Sequence, residues 1–103
     1  MAAYLIFTRI RTKDKAELDK YFASGDPTDD LPFTILVGYG EQEVLEGDGH
    51  EGMVVLEFEN SRAARDWYES PFYQRISRHR WRGADYQVTL VEGVPGSGVS
   101  VSG

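Results

Sequence analysis

Two ionisable side chains in the sequence are suited to proton transfer near neutral pH, Glu57 and His79. Glu57 lies in an apolar run, residues 53–58, and a buried carboxyl group holds its proton more tightly than a solvated one, which suits it to act on a carbon next to a carbonyl. His79 is flanked by arginines, whose charge favours the neutral imidazole that accepts a proton. We therefore take both as candidate catalytic residues. The alternative for Glu57 is a structural ion pair, and the alternative for His79 is a surface or helix-terminal position without a catalytic role.

The same part of the chain contains side chains that could hold a small ligand. Its aromatic members are Trp67, Tyr68, Phe72 and Tyr73. They could wall a pocket for a flat apolar molecule, with the phenols as hydrogen-bond donors, or they could simply pack in the core. Arg80, two helical turns after Tyr73, could bind a carboxylate or enolate through two parallel hydrogen bonds, or pair with Glu57. Trp67, Tyr68, Tyr73 and Arg80 are accordingly predicted to bind substrate.

Metal and cofactor chemistry has little support in the sequence. There is no cysteine, so disulfides and thiolate ligands are ruled out. Asp48, His50 and Glu51 provide possible ligands, but their spacing matches no rigid metal motif. The glycines beside them belong to a predicted hairpin turn rather than to a phosphate-binding loop between a strand and a helix. We predict neither a metal nor a cofactor.

The charge pattern predicts which partners the chain would accept. The net charge of −6 opposes binding to nucleic acid. Four arginines nevertheless lie within eight residues that contain no acid: Arg75, Arg78, Arg80 and Arg82. Such a patch fits a small anion or an acidic surface. No apolar run is long enough to span a membrane, and the N-terminal residues lack the charge order of a signal peptide, so a cytoplasmic location is expected.

The elements that position these residues follow the order β-α-β-β-α-β. Strands are predicted at residues 3–10, 33–40 (with a continuation to 45 left open), 53–59 and 86–92, and helices begin after Asp14, after Asn60 or Ser61, and at Pro71 after a Ser70 cap. The glycine-rich connection at residues 47–52 is too short for a parallel crossover, so the strands on either side form an antiparallel hairpin. This is the ferredoxin-like α+β arrangement, a four-stranded antiparallel sheet with the helices on one face. We predict one domain over residues 1–94, and a Gly/Ser-rich tail over residues 95–103.

The first and third predicted strands are apolar on both faces, although helices can cover only one of them. At about 25 cal/mol per Å² of apolar area, leaving the second face in water would forgo several kcal/mol and promote association. A homodimer in which two sheets pack face to face, as in a dimeric α/β barrel, solves this problem. The sequence therefore predicts such a dimer.

A series of short motifs runs along the chain: Leu45-Glu46-Gly47, Glu57-Phe58, Ala64, WYxSPxY at residues 67–73, Arg80 and Val91-Glu92-Gly93. In this order they resemble the domain of unknown function 1330 family, within the dimeric α/β-barrel superfamily, over most of residues 3–94. The family usually has a Gly-Gly pair entering strand two and an arginine late in it. Here Leu31-Pro32 and Val37-Gly38-Tyr39 stand in those places, and we include Tyr39 among the predicted substrate-binding residues.

The resemblance implies the same fold and dimer but no settled activity. Superfamily relatives include cofactor-free monooxygenases, polyketide cyclases, muconolactone isomerases and accessory proteins of ethyl-ether degradation, which act in a pocket between sheet and helices. Two functions are consistent with this: a cofactor-independent proton-transfer enzyme acting on a small carbonyl or aromatic substrate, and a non-catalytic protein that binds or delivers a small anionic or aromatic metabolite. A third possibility is a dimer whose pocket is filled by its own aromatic side chains.

Overall fold

The computed structural model of the chain describes residues 1–24 and 31–95. Within these ranges the elements are β1 (Ala3–Thr12), α1 (Lys15–Ala23), β2 (Thr34–Gly38), β3 (Gly52–Phe58), α2 (Ser61–Tyr68), α3 (Pro71–Gly83) and β4 (Ala84–Glu92). The order is the predicted one, and the second helical region is divided at Ser70 as expected. Most of the predicted Gly/Ser-rich tail, residues 96–103, lies outside the described residues.

Each helix begins at a side chain that accepts hydrogen bonds from free backbone N–H groups. Asp14 accepts from Ala16 and Glu17, Asn60 from Ala63, and Ser70 from Tyr73. Of the two predicted caps of α2, Asn60 is therefore the one used. Pro71 takes the first position of α3, where the missing N–H group costs nothing.

The four strands form one antiparallel sheet in the order β2-β3-β1-β4. Leu5 of β1 lies between Leu56 of β3 and Leu90 of β4. Together with Phe7 and Phe58 these residues face the helices and form the core, into which Tyr73 and Ala64 pack from α3 and α2. Alternation along the strands therefore assigns one face of the sheet to the helices.

β2 is shorter than predicted. It ends at Gly38, and Tyr39 follows with φ = 56°, in the left-handed region that residues other than glycine seldom adopt. This turns the chain out of the ladder, although Tyr39 N still donates to Met53 O at 2.9 Å. β1, in contrast, extends to Thr12, because a bulge between Arg9 and Arg11 lets it continue pairing with β4.

The other face of the sheet is not covered by any described helix. Ile6 and Val55 lie directly opposite each other at its centre. Around them on β1 and β3 are Tyr4, Thr8, Met53 and Glu57, each of them partly exposed. Among these positions Glu57 is the one charged residue, but on β4 Thr89 lies opposite Ile6 and Gln87 lies opposite Thr8. The apolar part of the face is therefore its centre, around Ile6 and Val55.

None of the helices in residues 1–24 and 31–95 is long and apolar enough to cross a membrane.

Candidate functional site

Among the described residues, Arg80 is the charged residue that the fold buries most completely. Its side chain comes from the last turn of α3 and is 3% exposed. The guanidinium carbon lies 5.1 Å from the centre of the Tyr86 ring and 5.7 Å from that of Phe7. Nη2 is 3.5 Å from the Tyr68 hydroxyl, a long hydrogen bond.

No carboxylate of the described residues forms an ion pair with Arg80. Its Nε also lacks a hydrogen-bond acceptor within that part of the chain. Buried arginines are normally paired, because a guanidinium taken out of water loses its hydration. Arg80 is thus a buried cation whose neighbours are aromatic rings and phenols.

Two pairs of tyrosine hydroxyls lie close to this arginine. Tyr21 on α1 and Tyr73 on α3 are hydrogen-bonded at 2.7 Å. Tyr39, after β2, is hydrogen-bonded through its hydroxyl to Tyr86 on β4. The first pair therefore joins α1 to α3, and the second joins the segment after β2 to β4.

Burial keeps three of these phenols in their neutral form. Desolvation raises the pKa of Tyr21, Tyr39 and Tyr73 above the usual 10.0, and the hydroxyl partner raises the pKa of Tyr21 and Tyr39 further. The Arg80 charge acts in the opposite direction on Tyr21 and Tyr73 but is outweighed. At neutral pH these groups can donate a hydrogen bond to a ligand, but they do not remove a proton from it.

Arg80 lines a cavity of about 420 Å³ between the end of α3 and β4, with Tyr68, Trp81, Ala84, Asp85, Tyr86 and Val88 as its other walls. A second cavity lies between α1, β2 and the aromatic residues of α2 and α3. It consists of two adjoining lobes of about 350 and 270 Å³ that share Tyr21, Phe22, Ile35, Leu56 and Trp67. We call these the arginine cavity and the aromatic cavity; they share no lining residue within the described part of the chain.

The predicted substrate-binding residues are divided between the two cavities. Trp67, Tyr73 and Tyr39 line the aromatic cavity, whereas Tyr68 and Arg80 line the arginine cavity. Tyr73 connects them, because its ring lies 4.3 Å from Trp67 and 5.4 Å from Tyr68, centre to centre. The indole N–H of Trp67 is buried without an acceptor among the described residues.

The two predicted catalytic residues are not in either cavity. Glu57 faces the uncovered side of the sheet, where its carboxylate accepts a hydrogen bond from Tyr4 at 3.3 Å. It is therefore separated from Arg80 by the sheet, and the alternative Glu57–Arg80 ion pair is not formed.

His79 instead joins two helices. Its Nδ1 lies 2.7 Å from the Glu17 carboxylate, which connects α3 to α1. That hydrogen bond is the main cause of the lowered pKa of Glu17. The arrangement corresponds to the structural alternative for this histidine.

Tyr86 and Tyr21 are site residues that the sequence reasoning missed. Tyr21 lies in the helix predicted after Asp14, and Tyr86 is the first residue of the last predicted strand. The available signal was strand alternation: Tyr86 has the same parity as Val88 and Leu90, so it faces the helices. Its partner, Tyr39, could not be paired with it without the register of the sheet.

No cluster of three or more metal-ligating side chains occurs among the residues that the structure describes. Of the loop residues considered above, Glu51 lies 3.2 Å from Arg9 Nε. The tyrosine and arginine side chains of the site are hydrogen-bond donors, which suit an organic anion rather than a cation.

Comparison with solved structures supports the fold. The chain is similar to a protein of unknown function from Rhodopseudomonas palustris, with a TM-score of 0.66 at 16% identity over 90% of this chain and 82% of that one. The methylated form of that protein has a TM-score of 0.66 at 16% identity, over 92% of this chain and 83% of that one. A protein from Bacteroides fragilis is described as dimeric, of unknown function and of ferredoxin-like fold. It has a TM-score of 0.59 at 14% identity, over 89% of this chain and 96% of that one.

At these identities the likeness concerns the fold, which is ferredoxin-like as predicted. A search of curated proteins gave no match. The model of a protein family described as a domain of unknown function, DUF1330, matches residues 2–94, and the chain therefore belongs to that family, as its motifs predicted.

Proposed function

We propose that the protein binds a small organic anion in the arginine cavity, with Arg80 as the group that holds it. The observation that carries the proposal is the burial of Arg80 without a carboxylate partner among the described residues. Burying a charge costs several kcal/mol, and cation–π contacts with two rings return about 0.5 to 2 kcal/mol each. A carboxylate or enolate ligand would supply the missing partner.

The geometry supports binding rather than proton transfer as the function. Glu57 is on the far side of the sheet and His79 is bonded to Glu17, so neither reaches a ligand at Arg80. The phenols of Tyr21 and Tyr73 keep their protons. Asp85, the carboxylate among the described residues that line the arginine cavity, is ion-paired with Lys13 and Arg11, which hold its pKa below the usual range. A proton-transfer enzyme (isomerase, cyclase or monooxygenase-like) therefore has less support.

Titration of the protein with benzoate, and with benzamide as its uncharged analogue, tests the proposal. We expect calorimetry to detect benzoate but not benzamide, and Arg80→Met to abolish benzoate binding. Arg78→Met is the matched control, because Arg78 is an exposed arginine of the same helix. Equal binding of benzoate by wild type and Arg80→Met would overturn the proposal.

We also propose that the working form is a homodimer formed through the uncovered face of the sheet. Ile6 and Val55 at the centre of that face are apolar, and the Bacteroides fragilis protein of similar fold is described as dimeric. Pairing two such faces removes the apolar surface from water. Light scattering at micromolar concentration tests this, and a monomer would contradict it.

A further inference from the structure

The two cavities have complementary chemistry. The arginine cavity is lined by a buried cation, by hydroxyl groups and by the carboxylate of Asp85, which is ion-paired with Lys13 and Arg11. Among the described residues that line the aromatic cavity none carries a charge, and its walls include the rings of Trp67, Tyr73 and Phe7. A dry cavity of about 150 Å³ already accommodates benzene, so each lobe of the aromatic cavity is large enough for one ring.

The hydrogen bond between Tyr39 and Tyr86 joins one wall of each cavity. Tyr39 lines the aromatic cavity and Tyr86 lines the arginine cavity. The Tyr86 ring is also one of the two faces against which the Arg80 guanidinium lies. A ligand bound to Arg80 would therefore touch one member of this hydroxyl pair, and the other member borders the apolar space beyond it.

Tyr39 has a strained backbone and lies at the start of a segment that belongs to no strand. Its backbone has φ = 56°, a conformation that costs of order 1 kcal/mol or more for a residue other than glycine. It directly follows the end of β2, so no strand pairing fixes the residues after it up to Gly52. The hydroxyl bond to Tyr86, the Phe22 ring at 5.6 Å and the Arg9 guanidinium at 4.9 Å hold the ring in place.

From these observations we infer that the ligand of this protein is an extended molecule, an anionic head joined to an apolar tail, and that Tyr39 determines how long the tail can be. The head binds at Arg80, and the tail passes between Tyr39 and Tyr86 into the aromatic cavity, which breaks their hydrogen bond. The inference rests on the anion site proposed above. It adds the class of ligand, aryl- or alkyl-carboxylates longer than benzoate, and the residue that selects them.

A length series of phenylalkanoates tests this on the unmodified protein. Benzoate, 3-phenylpropionate and 6-phenylhexanoate carry the same head and ring but differ in the spacer. Each methylene that becomes buried strengthens binding by about fourfold. We expect affinity to rise with length once the ring reaches the aromatic cavity. An affinity that is the same for all three, or that falls with length, overturns the inference.

Substitution of Tyr39 tests whether this residue selects ligands by their length. Tyr39→Phe keeps the ring but removes the hydroxyl bond that the tail must break, so the affinity for 6-phenylhexanoate should rise about threefold to tenfold relative to the affinity for benzoate. Tyr4→Phe is the control, because the Tyr4 hydroxyl lies on the opposite face of the sheet. If Tyr39→Phe changes the affinities of benzoate and 6-phenylhexanoate by the same factor, Tyr39 does not select by length.

Failure of this inference differs from failure of the anion site. If Arg80 does not hold the head, benzoate binding is absent or insensitive to Arg80→Met. If only the tail path is wrong, benzoate binds in an Arg80-dependent manner and the longer acids gain nothing. The two results come from the same titrations.

Discussion

The ring of Tyr39 occupies the space that a side chain at residue 52 would need: a β-carbon placed on Gly52 would lie 2.6 Å from Tyr39 Cδ1. Gly52 is the first residue of β3 and is buried. The glycine is therefore what allows Tyr39 to lie across the sheet towards Tyr86.

Gly52→Ala should displace the Tyr39 ring and lower the free energy of unfolding by about 1 to 3 kcal/mol, because the methyl group has no free space. Urea denaturation measures this. Gly40→Ala is the control, since a β-carbon there meets no atom within 4 Å, and its effect should stay within about 0.5 kcal/mol. Equal stability of the two variants would mean that the ring is not fixed against Gly52.

The fold was predictable because every local signal agrees with it. Caps at Asp14, Asn60 and Ser70 mark the starts of the helices, and the β-branched and aromatic residues of β1 and β3 predict strands. What the sequence could not supply was the left-handed conformation of Tyr39, because that conformation depends on tertiary contacts rather than on residue type. The shortened β2 is the consequence.

The site was only partly predictable, for reasons of geometry. Tyr73 and Arg80, two helical turns apart on α3, are both buried, but they line different cavities. Alternation already placed Glu57 on the face opposite to Leu56 and Phe58, which argued against a role for it in a pocket on the helical side. The partner of His79, Glu17 of α1, depends on how two helices pack, and sequence alone does not give that.

At high pH the buried phenols should make the protein unstable. The pKa of Tyr21, Tyr39 and Tyr73 is raised above 10.0 in the folded state, so above that pH the unfolded chain has lost protons that the folded one keeps. Stability from these groups is therefore fully present below pH 10 and is lost as the pH rises beyond it.

Spectrophotometric titration measures this directly. In the wild type we expect the phenolate absorbance of Tyr21, Tyr39 and Tyr73 to appear only when the circular dichroism of the fold is lost. In Tyr39→Phe the absorbance that appears on unfolding should correspond to two tyrosines. If all six tyrosines of the chain ionise while the fold persists, these phenols are not buried as described.

Arg80→Met should make the ligand-free protein more stable, not less. A buried charge without a counter-ion costs more than an apolar side chain of similar length at the same place, and replacing buried charges by apolar residues often stabilises by about 1 to 4 kcal/mol. Thermal unfolding measures the change, with Arg78→Met expected to be neutral. A large destabilisation by Arg80→Met would indicate that the arginine is a structural residue with its own partners.

The uncovered sheet face should control assembly. Val55 lies at its centre opposite Ile6, so a lysine at residue 55 would place two charges at the centre of a face-to-face dimer, where they lose their hydration. We expect Val55→Lys to give a folded monomer by light scattering and circular dichroism. Ala16→Lys adds the same charge at an exposed position of α1 and should leave the dimer intact. If Val55→Lys remains dimeric, the two copies meet through another surface.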